Sequence, residues 1–170
     1  KDDWGFWTEE QTNVLNRKIY LPRGKTLGGS SSTNAMAYVR GNPADYDGWA
    51  EQGNFGWSFN ELLPYFKRSE NHEQIDLMDS GYHSSSGELG VTIPNRFQTP
   101  FVDGFIEACA AIGIPKNLDY NGKIQEGASL VQSTIKKGKR ESGATAFLKP
   151  ALKRNNLTAI TNARVDKIIL

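Results

Sequence analysis

The residues with the clearest chemical potential lie in the run Arg23-Gly24-Lys25-Thr26-Leu27-Gly28-Gly29-Ser30-Ser31-Ser32-Thr33-Asn34. Two adjacent glycines let backbone N–H groups approach a ligand with no side chain in the way. Three serines add short hydroxyl donors, and Arg23 and Lys25 add positive charge. A helix opening after Ser30 would aim its free N–H groups at the same point, an arrangement that holds phosphate and other anions. A plain flexible turn is the alternative reading of the same run. It is not a Gly-x-x-x-x-Gly-Lys-Ser phosphate loop, because the lysine follows Gly24 with no earlier glycine at the right spacing. Nor is it Gly-x-Gly-x-x-Gly.

Other candidate chemistry is sparse. The two histidines, His72 and His83, fall in a polar stretch and read as surface residues. The single cysteine, Cys109, excludes a disulfide within the chain and fits a reducing, cytoplasmic compartment. Twenty basic residues against nineteen acidic ones leave a formal charge of +1, which gives no push toward nucleic acid or a membrane surface. The basic cluster Lys136, Lys137, Lys139, Arg140 reads as a solvated turn. No apolar run reaches the length of about 18 residues that a transmembrane segment needs. The chain opens without methionine, and Arg164 to Leu170 reads as a strand still in progress. Both features suggest a piece of a longer polypeptide.

The elements that must position these residues can be read in outline. Trp4 to Tyr20 reads as an extended surface segment. Asn42-Pro43 starts a short helix with a cap residue and proline at its first position, and Gly53 closes it, with Tyr46, Trp49 and Ala50 inward. Ser58 and Glu61 form a capping box before Phe59, Leu62, Leu63 and Phe66 at helical spacing. Asn71 to Gly87 reads as a polar mobile loop, and Glu88 to Ile93 as a strand. Thr99-Pro100 begins a helix with Phe101, Phe105, Cys109 and Ile112 on one stripe and Gly113 as its stop. Leu130 to Ile135 reads as a strand that enters a hairpin turn at Lys136-Lys137-Gly138-Lys139. Ser142 caps a helix with Phe147, Leu148, Ala151 and Leu152 inward. Leu157 to Thr161 and Val165 to Leu170 read as closing strands. This mixture without strict alternation predicts α/β architecture with α+β insertions.

Gly24-Lys25-Thr26-Leu27-Gly28-Gly29-Ser30-Ser31, followed by Asn34, Tyr38, Gly41 and Asp47, resembles the first signature of the glucose–methanol–choline oxidoreductases. Leu21-Pro22-Arg23, Tyr38-Val39-Arg40-Gly41-Asn42, Tyr46-Asp47-Gly48-Trp49, Gly56-Trp57-Ser58, Leu63-Pro64-Tyr65-Phe66-Lys67-Arg68-Ser69-Glu70 and Pro150-Ala151-Leu152-Lys153-Arg154 resemble the choline dehydrogenase branch. The resemblance implies part of an FAD-binding Rossmann-like domain joined to part of a substrate-binding domain with an antiparallel sheet. Residues 1–70 and 141–170 would belong to the first and 71–140 to the second, with specificity residues between Leu89 and Ile135. Arg23, Thr26, Gly28, Gly29 and Ser30 match positions lining the isoalloxazine and its linker. Asn34, Ala35, Met36 and Ala37 match the segment beside the reactive edge of the flavin. Val165 matches a strand position whose backbone meets the adenine, and plain core packing is the alternative for both Val165 and Met36. Thr33 stands where some relatives carry the histidine that binds flavin covalently, which implies non-covalent FAD.

The implied reaction oxidises a small alcohol to an aldehyde or ketone by hydride transfer to flavin N5. Electrons then pass to oxygen, a quinone or another carrier, and the flanks favour a dehydrogenase. The family's pyrophosphate turn and its general-base histidine match nothing in this sequence, so no catalytic residue is assigned. A non-oxidative FAD lyase and a non-catalytic protein on the same scaffold are the alternatives.

Overall fold

A computed structural model describes residues 2–79, 81–94 and 99–169. The amino-terminal arm is extended and exposed, as its polar sequence predicts. Its strands β1 (Phe6–Trp7) and β2 (Tyr20–Leu21) pair antiparallel, Phe6 opposite Leu21 and Trp7 opposite Tyr20. The Trp7 and Tyr20 rings meet with centroids 5.1 Å apart, the cross-strand aromatic contact that steadies so short a pair.

The glycine run follows as a single tight turn of helix, Gly29–Ser32, rather than the start of a long helix. Helix α1 (Pro43–Glu51) begins where Asn42 accepts from the Ala44 N–H and Asp45 reaches back to the Asn42 N–H. Gly53 ends it in the left-handed region. Helix α2 (Phe59–Ser69) opens on the predicted Ser58–Glu61 capping box. Tyr46 stands edge-on to Trp49 and lies against Phe59 and Phe66, so aromatic packing joins the two helices. Trp49 itself is exposed.

The stretch predicted as a mobile loop is largely built structure. Its first residues form β3 (Glu70–His72), which pairs parallel with β4 (Leu89–Val91). His72 within β3, and Met78 and His83 between the two strands, are buried. Polar composition hid this because the buried groups satisfy one another rather than packing as an apolar core. Ser133 bridges antiparallel to Thr92 on one side and to Ala37 on the other. The residues around Ser133 therefore lie between β4 and the segment that follows the glycine run. The predicted strand from Leu130 thus pairs mainly through Ser133, and the regular strand β5 (Ile135–Lys136) starts later. The β5 hairpin to β6 (Lys139–Arg140) turns at Lys137 and Gly138, both at positive φ.

Helix α3 (Pro100–Ala111) starts and stops as expected, with Gly113 at φ +90. Its orientation differs from the predicted stripe. Phe101, Phe105 and Ile112 are exposed, Phe101 at 87%, while Val102, Ile106 and Cys109 are half-buried. Hydrophobic spacing marks two candidate faces here, and the one that turns inward carries Ile106, which lines a cavity with Met78 and Leu130. After Ser142 the chain makes one wide helical turn, Ala144–Leu148, then the short α4 (Lys149–Ala151). Ala144 and Ala146 are buried there, whereas Phe147 and Leu152 are exposed. Small residues turn inward because this helix sits directly on Gly28. Residues 157–169 are extended and exposed, with no strand pairing among them. A strand needs a ladder partner, and none of the described residues supplies one.

Candidate functional site

The glycine run is held by its own polar groups. Gly28 and Gly29 have φ +87 and +55, conformations that side chains resist. A Cβ on Gly24 would lie 2.5 Å from the Gly29 carbonyl oxygen, so the loop closes on itself only with glycine there. The serines act as staples rather than as open donors. Ser30 Oγ accepts from the Gly24 N–H at 3.2 Å, and Ser32 Oγ donates to the Leu27 carbonyl at 2.8 Å. Ser31 Oγ accepts from the Gly143 N–H at 2.8 Å, which fixes the loop to the helix turn behind it. The Arg140 guanidinium donates to the Ser31 carbonyl and to Asn34 Oδ1.

A cavity of about 790 Å³ opens beside this loop. Lys25, Thr26 and Leu27 form one wall, Ile160 to Arg164 the facing wall, and Trp4 and Asp2 close a side. The Lys25 ammonium sits 4.6 Å from the Trp4 ring centroid. The volume falls in the range of small-molecule sites, ~300–1,000 Å³. Of the predicted cofactor residues, Thr26 lines this cavity. Val165 lies one residue beyond the facing wall and is 78% exposed. Arg23 is exposed beside the loop, its backbone N–H bonded to Asp3. Gly28, Gly29 and Ser30 are half-buried in the loop's own turn. Trp4, Leu27 and Ile160 to Arg164 were not expected at a site. Trp4 reads as an ordinary arm residue, and no spacing rule links it to residues some 160 positions away.

Asn34 to Ala37 runs away from the loop toward Ser133. Asn34 Oδ1 accepts from the Met36 N–H at 2.9 Å. Met36 has φ +66, a left-handed conformation unusual for an unbranched side chain. Its carbonyl accepts from the Thr134 N–H at 2.8 Å. Ala35 and Ala37 are exposed and Met36 is half-buried.

Beyond this segment lies a buried ion network. Arg40 pairs with Glu70. His83 is 2% exposed, and it places Nδ1 2.6 Å from Glu70 Oε1 and Nε2 2.9 Å from Asp119 Oδ2. Both neighbours are carboxylates that only accept, so both ring nitrogens donate and the ring is imidazolium. Burial alone would push the His83 pKa down, but the Asp119 and Glu70 carboxylates outweigh it and raise the pKa to about 9. His72 is 1% exposed and held below its ordinary value by burial, so it stays neutral. The reading of both histidines as surface residues is therefore wrong. They are core groups, and neither lines the cavity beside the glycine run or the one against α3. A second cavity of about 470 Å³ lies against α3, walled by Met78, Ile93, Ile106, Leu118 and Leu130, with Gln74 at its polar side.

Among the described residues, no cluster of three or more His, Cys, Asp or Glu side chains is placed to hold a metal ion. No helix there is long and apolar enough to cross a membrane.

Residues 10–170 match the family model for GMC oxidoreductases. The chain belongs to this family. It is 44% identical over 168 residues to the oxygen-dependent choline dehydrogenase of Brucella anthropi, covering 99% of this chain and 30% of that protein. It is likewise 44% identical to the oxygen-dependent choline dehydrogenase of Rhizobium etli, over 91% of this chain and 28% of that protein. The chain thus spans about 30% of the length of the curated relatives it matches. Among solved structures, pyridoxine 4-oxidase from Mesorbium loti superposes with a TM-score of 0.84 at 35% identity, over 93% of this chain and 31% of that one. An FAD-dependent oxidoreductase from Chaetomium thermophilum gives 0.79 at 27% identity, over 90% and 28%.

Proposed function

We propose that this chain forms flavin contacts and part of the substrate side of an FAD-dependent alcohol oxidoreductase that turns an alcohol into an aldehyde or ketone. One observation carries the reading. The cavity beside the glycine run joins Lys25, Thr26 and Leu27 to Ile160–Arg164, and so unites the two regions that the family resemblance assigns to FAD.

The residues present fit such a group. A Cβ on Gly29 would meet nothing within 4 Å, so the backbone there is open to close approach. Lys25 and Arg164 against the single carboxylate of Asp2 leave the cavity lining net positive, which favours an anionic diphosphate. Leu27, Ile160 and Trp4 supply apolar contact for flat rings. Arg23, Thr26, Gly28, Gly29 and Ser30 would border the flavin and its linker, and the backbone of Val165 the adenine. Asn34, Ala35, Met36 and Ala37 would pass its reactive edge. When bound, FAD supplies the hydride acceptor. This chain's part is to hold and orient it and to exclude water along the Met36 segment. Thr33 offers no nitrogen for a covalent bond, so the cofactor is held non-covalently. The electron acceptor that reoxidises the flavin is oxygen, a quinone or another carrier. The lone Cys109 favours a reducing, cytoplasmic setting.

The test uses the full-length protein. It should purify yellow, release its flavin into the supernatant on acid precipitation, and bleach when an alcohol is added without oxygen. Choline and pyridoxine, named for the relatives, head the panel. A colourless protein that takes up no FAD would sink the proposal. Flavin that stays in the acid pellet would overturn the non-covalent part alone. Bound flavin that no alcohol bleaches would favour a non-oxidative role.

A further inference from the structure

The left-handed Met36 is maintained by contacts well beyond its own turn. Two residues on, Tyr38 is held at three atoms. Its N–H donates to the Gln132 carbonyl at 2.8 Å. Its carbonyl accepts from Tyr120 Oη at 2.9 Å and from Asn121 Nδ2 at 3.0 Å. Its hydroxyl donates to Glu70 Oε2 at 3.2 Å, and burial, reinforced by the Glu70 charge, pushes its pKa up to about 12, so the hydroxyl keeps its proton.

These holding groups are tied to the ion network. Asp119 accepts from Gln132 Nε2 at 2.9 Å, and Asn121 donates to Gln132 Oε1 at 2.8 Å. Arg40 Nη1 donates to the Tyr82 carbonyl at 2.7 Å, next to His83. The Arg40 N–H donates to Asn121 Oδ1 at 2.8 Å. Arg40, Glu70, His83 and Asp119 carry two positive and two negative charges. The neutral His72 ring stands 5.5 Å from His83. None of the four charged residues lines either cavity. A balanced, water-poor network that lines neither of these cavities, touches Tyr38 through Glu70 and braces its other partners Gln132 and Asn121 acts on position.

We propose that the buried Arg40–Glu70–His83–Asp119 network is a positioning device for the turn at Met36, locking Tyr38 so that residues 34–37 keep their place against the flavin. It rests on the assignment of those residues to the flavin edge. His83 is the keystone, since only its imidazolium donates to both carboxylates at once.

The experiment compares full-length wild type, His83→Gln and Tyr38→Phe in the FAD-loaded state. Readouts are flavin per chain, visible circular dichroism of the flavin, and kcat and KM across neutral to alkaline pH. In Tyr38→Phe, flavin content and KM should hold while kcat per bound flavin falls on the order of 10-fold, the scale of a sub-ångström to ångström misplacement. The flavin dichroism should change with it. In wild type, kcat and dichroism should fall together as pH rises through about 9, and His83→Gln should lack that limb. Should His83→Gln fail to fold, Tyr38→Phe still decides. Wild-type kcat and dichroism in Tyr38→Phe, with only thermal stability lowered, would overturn the proposal. A wild type that binds no FAD would overturn the flavin assignment itself, a different and visible failure.

Discussion

At the scale of single residues, Gly28 and His83 carry the most weight. Gly28 combines φ +87 with close packing, since a Cβ would lie 2.5 Å from Ser32 Oγ and 3.1 Å from the Ala144 nitrogen. Gly28→Ala should cost on the order of 2 kcal/mol or more, from backbone strain and overpacking together. Urea unfolding checks this, and an unchanged midpoint would contradict it. His83 makes stability fall with rising pH. Its folded pKa is raised from 6.5 to about 9. The stabilisation is therefore complete below the unfolded value and lost as pH climbs through about 9. Urea midpoints should decline across that window in wild type and less so in His83→Gln. A flat or rising wild-type profile would refute the paired imidazolium.

At the scale of elements, local signals predicted starts and stops well. Asn42-Pro43, Ser58 with Glu61, and Thr99-Pro100 all begin helices where expected. Caps act within one turn, so sequence reports them directly. Asn42 caps α1 and also donates to Gln125 Oε1 at 3.1 Å. Asn42→Ala should lower stability by about 1 kcal/mol, seen as a drop in melting temperature, whereas Asn42→Ser should recover most of it. What sequence did not report was long-range pairing. The parallel match of Glu70–His72 with Leu89–Val91 and the burial of His72 and His83 depend on partners tens of residues away. A polar stretch gives no period from which to infer them. The inward face of α3 was misread for the same reason, because what covers a helix is decided outside it. Within the candidate site, the strained loop was legible in its glycines, but its facing wall at Ile160–Arg164 was not.

At the scale of the whole molecule, surface area is the telling quantity. A compact monomer of this length exposes roughly 8,300 Å², and this chain exposes 12,795 Å². Phe55, Phe101, Leu118, Val165 and Ile169 are among the large apolar side chains left open. The 170-residue chain alone should therefore bind a hydrophobic dye such as ANS strongly and unfold with a shallow denaturant dependence. A full-length protein three times as long should bind far less dye per residue. Weak dye binding and steep unfolding of the 170-residue chain would contradict this picture. The same openness explains why the closing strands predicted from Leu157 onward are unpaired here: their β pattern is legible, but pattern alone supplies no neighbour.

The tie between Met36 and Thr134 also fixes an order of events in time. It spans 98 residues, and the Arg140 grip on Ser31 spans 109. Contacts this distant must wait for the intervening chain to be confined, since closing a long loop is slower than forming a local turn. The helices α1 and α2, capped within a few residues, can form early. The glycine run can close its own local turn, but its fixing to Arg140 and Gly143 comes last, so refolding should restore helical signal well before the loop is locked in place.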